Sequence, residues 1–265
     1  MTATDFERPP TYLVLGATGG IGSALCRQLV ARGARLVVAA RNAEKLQALA
    51  DELGAHPFPV DATQSAQVDA CVARVPERHG RLDGVAHCVG SLLLKPAHLT
   101  SDAEWDAALA VNLTSAFAVV RASARAMKDT GGSIVLVSSA AARAGLANHE
   151  AVAAAKAGII GLVLSAAATY ASRGIRVNGV APGLVRTPLT AALTSNEAIL
   201  RASTAMHALG RIGEPADVAS AIAWLLDPRQ GWITGQILGV DGGLADLRSK
   251  ASASATPGRK PGACS

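Results

Sequence analysis

Seven short runs of β-branched and aliphatic residues recur along this chain, separated by longer stretches of helical periodicity, and that alternation leaves few ways to fold. The runs are Tyr12–Leu15, Arg35–Ala39, His56–Val60, Gly84–His87, Ser133–Val137, Arg176–Val180 and Gln236–Val240. Apolar residues at helical spacing predict helices over about 20–32, 43–53, 64–78, 102–128, 149–173 and 215–226, with a weaker segment near 189–207. Strand, helix and strand in regular succession require right-handed crossovers, and hence a parallel sheet covered on both faces. The expected fold is therefore α/β, a doubly wound sheet of seven parallel strands with helices on both sides.

Half of the 265 residues are apolar, enough for one large core, and only 3% are aromatic, so that core has to be aliphatic. One domain over residues 1–245 is expected. Residues 246–265 read differently: small, polar and aperiodic, they hold Arg248, Lys250, Arg259 and Lys260 against Asp246 alone, and a disordered basic tail is expected there. Removing those four bases and one acid from the 25 and 20 of the whole chain leaves 21 against 19. The formal charge of +5 thus falls to +2 over the folded part, which argues against a nucleic-acid partner. Cys26, Cys71, Cys88 and Cys264 show neither CxxC nor Cys/His spacing, so no disulfide framework and no metal site is expected, and a reducing compartment fits. No charged-then-apolar leader opens the chain, and its most apolar stretch, Ala157–Ala168, is short and interrupted by glycine. A cytoplasmic location without a membrane partner is the expectation.

Directly after the first strand, Gly16-Ala17-Thr18-Gly19-Gly20-Ile21-Gly22 opens a helix, which is the context a phosphate-binding glycine loop needs. Gly16 lets the chain turn, Gly20 lets backbone amides approach a pyrophosphate and Gly22 permits close packing of the helix, whose N-terminus favours negative charge. The pattern is that of a Rossmann-type dinucleotide site. At the end of the second strand no carboxylate is placed to accept from the adenosine ribose, and Arg41 stands there instead. A guanidinium can fork onto a 2′-phosphate, so NADP(H) is favoured over NAD(H), although Arg41 beginning the next helix as a solvated residue would look similar. Asp61, just past the third strand, either accepts from the adenine amino group or caps the helix starting near Gln64.

With these features stand Asn112 in Val111-Asn112-Leu113, Ser138-Ser139 ending the fifth strand, Ala155-Lys156-Ala157-Gly158, Arg176-Val177-Asn178, Pro182-Gly183-Leu184-Val185-Arg186-Thr187, Gly210-Arg211-Ile212-Gly213 and Val240-Asp241-Gly242-Gly243. Over about residues 11–245 the chain resembles the compact short-chain dehydrogenase/reductase family. The resemblance implies an NAD(P)-dependent oxidoreductase in which Lys156 holds the nicotinamide ribose and lowers the proton donor's pKa. It also implies that Asn112 tethers a water of the proton relay, that Ser139 hydrogen-bonds the substrate carbonyl, and that Pro182, Gly183 and Thr187 hold the carboxamide. It implies, further, a homo-oligomer, a tetramer or dimer formed through the long helices and the final strand. Local hydrogen-bonding roles for Asn112 and Ser139, and cofactor binding without catalysis by Lys156, remain the plain alternatives.

Two positions depart from the family pattern. His87-Cys88-Val89-Gly90 stands where Asn-Asn-Ala-Gly is usual, keeping only Gly90 for close approach of the cofactor. Val152, thirteen residues after Ser139 and four before Lys156, occupies the spacing of the family's proton-donating tyrosine. If residues 148–156 are helical, His149 lies about 60° around the axis from Val152 and one turn before it, and its imidazole is a candidate replacement acid. Asn148 capping the helix, with His149 and Glu150 solvated in its first turn, is the simpler arrangement. Three functions stay open: a reductase of a small carbonyl, imine or activated alkene with a non-tyrosine proton source; a cofactor-binding protein or assembly partner without turnover; and a non-redox lyase or isomerase with His149 as base. Leu189–His207, the segment expected to cover the substrate, names no ligand.

Overall fold

Residues 8–247 are described by a computed structural model; the basic tail expected over 246–265 therefore lies almost wholly outside the described residues. Seven strands, β1 (Thr11–Leu15), β2 (Arg35–Ala40), β3 (His56–Pro59), β4 (Gly84–His87), β5 (Gly132–Val137), β6 (Ile175–Pro182) and β7 (Ile237–Val240), form one parallel sheet in the order β3-β2-β1-β4-β5-β6-β7. Alternation along the strands divides the core in two. Leu13 and Leu15, Val37 and Ala39, and Ile134 and Leu136 face one layer, while Tyr12 and Val14, Val38 and Ala40, and Val135 face the other.

The helices close these layers. Against the first pack α3 (Ser65–His79), α5 (Ser115–Ala126) and α6 (Glu150–Tyr170), through residues such as Val68, Val119 and Ile159; against the second pack α1 (Gly20–Ala31), α2 (Ala43–Leu53) and α9 (Pro215–Leu226), through Leu25, Leu46 and Ile222. Their ends follow local chemistry. Asn42 caps α2 by accepting from the Lys45 amide at 2.8 Å, and Gly54 ends it at φ 60. A reciprocal Ser101/Glu104 box opens α4 (Asp102–Leu109), and Glu214 with Asp217 does the same for α9 behind Pro215 at its first position. The segment near 189–207 divides into a short turn, α7 (Ala191–Thr194) and α8 (Glu197–Met206).

The helix expected over 102–128 is interrupted. Between α4 and α5 the chain makes a π turn over Ala110–Thr114, in which the Ser115 amide bonds to the Ala110 carbonyl. One extra residue in the turn rotates α5 about its axis relative to α4, and Asn112, within the turn, is completely buried. The apolar stretches are also longer than expected. Asp102–Ala126 and Glu150–Arg173 are long and apolar enough to cross a membrane by length and composition, with 56% and 44% of their most apolar windows buried within this fold. Here both serve as layers on the sheet.

The two halves of the sheet part at β1 and β4. β1 pairs with β2 on one side and β4 on the other, and the crossovers from these neighbours leave toward opposite edges, which is where an open sheet forms its crevice. His87 closes β4 within this seam, completely buried, with Nε2 3.0 Å from Ser115 Oγ. Ser115 Oγ donates to the Val111 carbonyl at 2.6 Å, so it accepts from His87 Nε2–H, and Nδ1 is left as a buried acceptor without a partner. Burial, reinforced by the nearby Lys156 cation, pushes the His87 pKa down from 6.5 to about 3. Between those values the unfolded chain binds the proton and the folded one does not, so His87 costs stability as pH falls from 6.5 toward 3. His87→Asn should therefore lose less of its urea midpoint than the native protein over that window; parallel pH profiles of the two would show that His87 is not the cause.

Candidate active site

The glycine loop is shaped by what surrounds it. Gly16 has φ 77, and a Cβ added there would lie 2.8 Å from the Cys88 carbonyl carbon and oxygen, so the loop after β1 crosses the chain after β4 with no room for a side chain. Its amide and that of Ala17 bond to the Ala39 carbonyl at 2.8 and 3.1 Å, which ties the turn to β2. A Cβ on Gly22 would overlap the Gly16 carbonyl oxygen, as close helix packing requires. At Gly20 the structure adds a further constraint: a Cβ there would meet the Thr187 methyl at 2.8 Å, so the stretch after β6 folds down onto the loop. Thr18 is half-buried in the loop, and Ile21 packs its side chain against the second core layer.

Thr187 itself is tied into a tight turn. Its amide donates to Thr190 Oγ1 at 3.1 Å, and the two hydroxyls lie 3.1 Å apart. Pro182 ends β6, paired with Val240, and the Gly183 amide donates to the Val240 carbonyl at 3.2 Å. On the other side, Arg41 is exposed just before Asn42. Nearby, Asp61 has its pKa lowered first by the Thr63 amide, then by the Thr63 hydroxyl and only weakly by Arg41. Asp61 does not cap α3, whose N-cap is Gln64; one oxygen accepts from Thr63 N at 3.0 Å and Thr63 Oγ1 at 2.8 Å.

Lys156, Asn112 and Gly90 meet at the carboxyl ends of β4 and β5. A Cβ on Gly90 would lie 3.3 Å from Asn112 Oδ1 and 3.5 Å from Lys156 Nζ, so all three face one small space. Lys156 is buried, donates from Nζ to the Val137 carbonyl at 2.8 Å, and has its pKa pushed down to about 8 by burial, an effect Cys88 partly opposes. Ser138, to which the sequence alone assigns no role, donates to the Lys156 backbone carbonyl at 2.7 Å and so fixes α6 against β5. Asn112 accepts from the Ser91 amide at 3.1 Å and donates to Ser91 Oγ at 2.9 Å and the Ala108 carbonyl at 3.0 Å, which holds the loop after Gly90. Ser139 Oγ accepts from the Ala141 amide at 3.1 Å, and its own proton stays available to an oxygen of a bound molecule.

The start of α6 differs from expectation. Asn148 does not cap it: this residue sits in the left-handed region at φ 63 and its carbonyl accepts from the Lys95 amide. His149 is the N-cap rather than a first-turn residue, with φ −109 and ψ 11. Its Nδ1 lies 2.7 Å from the Ala147 carbonyl, which can only accept, so Nδ1 carries the proton and Nε2 is a base in the neutral ring. Val152 is buried in the first turn of α6. Among the described residues no group of three or more His, Cys, Asp or Glu is placed to hold a metal ion.

The sequence and the fold are shared with known proteins. Residues 16–245 match the family model described as enoyl-(acyl carrier protein) reductase. The chain is 36% identical over 239 residues to the 3-oxoacyl-(acyl-carrier-protein) reductase FabG of Vibrio cholerae, covering 88% of this chain and 96% of that protein. Among solved structures, a short-chain type dehydrogenase/reductase from Mycobacterium ulcerans superposes with a TM-score of 0.86 at 33% identity over 91% of each chain. A tryptophan variant of actinorhodin polyketide ketoreductase with NADPH superposes with a TM-score of 0.85 at 30% identity, over 93% of this chain and all of that one. The chain belongs to the short-chain dehydrogenase/reductase family. Its fold and relatives are those of oxidoreductases that use a nicotinamide dinucleotide.

The loop yields a direct test of its packing. Gly22→Ala drives a Cβ into backbone, so it should destabilise the protein by about 1–3 kcal/mol, whereas Gly145→Ala, which meets nothing within 4 Å, should stay within about 0.5 kcal/mol of the native value. Chemical denaturation of both variants checks this; equal stability would show that the loop can relax around the added methyl.

Proposed function

We propose that this protein is an NADPH-dependent reductase that transfers hydride to a small carbonyl, imine or activated alkene and draws its proton from a source other than tyrosine. The reading is carried by one observation: Lys156, Asn112 and Gly90 converge beside a loop whose glycines leave no room for side chains, while the buried position one turn before Lys156 is Val152. Those residues fit a dinucleotide. Gly16, Gly20 and Gly22 let the loop pack without side chains against Cys88, Thr187 and its own first turn, as a phosphate-binding turn requires, and Lys156 presents a buried ammonium with one acceptor, the Val137 carbonyl, among the described residues. Arg41 is the exposed cation beside the end of β2 suited to a 2′-phosphate, which favours NADP(H) over NAD(H). NADPH, when bound, supplies the hydride.

The remaining work falls to the chain. Ser139 donates its free hydroxyl proton to the oxygen or nitrogen of the acceptor as charge develops there. The Lys156 ammonium, with a pKa near 8, is itself poised to release a proton at neutral pH, directly or through a water held with Asn112. His149 is the weaker candidate, because its Nδ1–H is spent on Ala147 and Nε2 donates only when the ring is charged. Acceptors that are already polarised, such as iminium ions and conjugated alkenes, need this proton least. The relatives' names specify oxo groups, which leaves 3-oxo compounds as the first to try. An assembly of identical chains is part of the same reading: Ala154, Ala157, Gly161, Leu164 and Ala168 leave an apolar face of α6 uncovered, and Phe117 is half-exposed on α5.

Two measurements test it. NADPH oxidation followed by absorbance should be slow with native protein on a panel of ketones, imines and activated alkenes, should fail above about pH 8 as Lys156 loses its proton, and should rise by up to about 10²–10⁴-fold on ketones in Val152→Tyr. Tight NADPH binding without oxidation by either protein would mark a cofactor-binding protein, and product formed without loss of absorbance a non-redox enzyme. Arg41→Ala should raise the KM for NADPH about tenfold or more and leave that for NADH unchanged; equal effects on both would remove Arg41 from cofactor choice.

A further inference from the structure

His207 follows α8 and is buried to 2% exposure, yet no part of the proposed chemistry uses it. Its two ring nitrogens have partners of opposite kind. Nδ1 lies 2.6 Å from the Ser203 carbonyl, which can only accept, and Nε2 receives the Leu184 amide proton at 3.2 Å. One neutral tautomer satisfies both contacts, with the proton on Nδ1 and the lone pair on Nε2. The ring is also pressed against backbone: a Cβ on Gly183 would lie 2.5 Å from Nε2, and one on Gly242 would lie 3.5 Å from the ring's Cδ2. Leu209, two residues on, donates its amide to the Gly242 carbonyl at 3.0 Å. Three segments therefore meet on one imidazole: the stretch after β6, the end of α8 and the turn after β7.

The position of that meeting point matters. Leu184 lies between Gly183 and Thr187, and Thr187 is the residue folded onto Gly20 of the glycine loop. Gly183, Leu184 and His207 line a cavity of about 480 Å³ whose lining includes neither Ser139 nor Lys156. An amide in the middle of a stretch facing the loop is thus anchored to a side chain carried on α8, and α8 cannot move without releasing it. We propose that His207 is a positioning residue that couples α8, within the segment covering the substrate, to the cofactor-facing stretch Pro182–Thr187. The proposal rests on reading the site as a dinucleotide site, and its strut can be measured without cofactor.

Three substitutions separate a strut from a filler. His207→Gln carries an acceptor oxygen out to the place of Nε2, His207→Asn reaches only as far as Nδ1, and His207→Leu has neither group. Hydrogen exchange at the Leu184 amide in the cofactor-free protein should be slow in the native and Gln proteins and about tenfold faster in Asn and Leu. Titration with NADPH, read by fluorescence, should show about tenfold weaker binding in Asn and Leu and recovery to within about twofold in Gln. Unchanged exchange and affinity in Asn and Leu would overturn the proposal, and so would equal weakening in all three, which would make His207 packing alone. If native protein binds no NADPH while Leu184 still responds to Asn and Leu, the strut stands as a structural tie and the dinucleotide reading fails, and with it the coupling.

Discussion

Everything at the carboxyl edge of this sheet depends on how closely the chain after β1 passes the chain after β4. The two strands are neighbours, yet their crossovers run to opposite edges, so their ends diverge into a crevice while the first residues beyond them remain in contact. A Cβ on Gly16 would stand within 2.8 Å of the Cys88 backbone, and Cys88 N still bonds to the Leu15 carbonyl at 2.9 Å. That contact sets the floor of the site. From it the glycine loop rises on one side toward Thr187, and Gly90 on the other toward Asn112 and Lys156.

The second constraint is electrostatic. A buried ammonium is unfavourable unless its donors are used, and among the described residues Lys156 is given the Val137 carbonyl alone. Burial pushes its pKa down to about 8, against a smaller opposing effect of Cys88. The backbone around the lysine is nonetheless held firmly: Ser138 grips its carbonyl, and the π turn lodges Asn112 where it braces Ser91. A rigid frame around an under-satisfied cation is the arrangement expected of a site that waits for hydroxyl or phosphate oxygens, since these would complete the ammonium's coordination without moving the frame.

Much of this was legible in the residues. Strand runs differ from the observed strands only at their ends, because parallel strands buried on both faces read as apolar runs bounded by turn residues, and α2, α4 and α9 begin at the Asn, Ser and Glu-Pro signals that set them. Lys156, Asn112 and Gly90, named singly from the sequence, lie around one small space at the ends of β4 and β5. What was not legible depends on contacts between distant segments. No local signal marks the π turn, since Ala110–Thr114 has ordinary helix-forming neighbours. Nor does one show that Gly20 yields to the methyl of a residue as distant in sequence as Thr187, or that His207 faces Leu184. At His149 the difference has a local cause: Asn148 accepts a left-handed φ more readily than most residues, and that bend displaces the helix start by one residue and turns His149 toward Ala147.

The proposed loss of a phenol at Val152 weighs less than it first suggests, and the magnitudes show why. A positioned general acid contributes about 10²–10⁴-fold, whereas holding two reactants in a near-attack geometry is worth about 7–11 kcal/mol, which is several orders of magnitude more. In the proposed reading, positioning rests on the close-packed loop at Gly16 and Gly22, the stretch from Pro182 to Thr187, and the fixed backbone of Lys156. In that proposal, what a valine removes is the means of neutralising an alkoxide, a demand that is heavy for a plain ketone and slight for an acceptor that starts cationic or ends as a stabilised carbanion. In the proposed reading, a site that keeps its positioning and gives up its acid is therefore biased toward substrates that bring their own polarisation, served by Ser139 and a lysine whose pKa lies near 8.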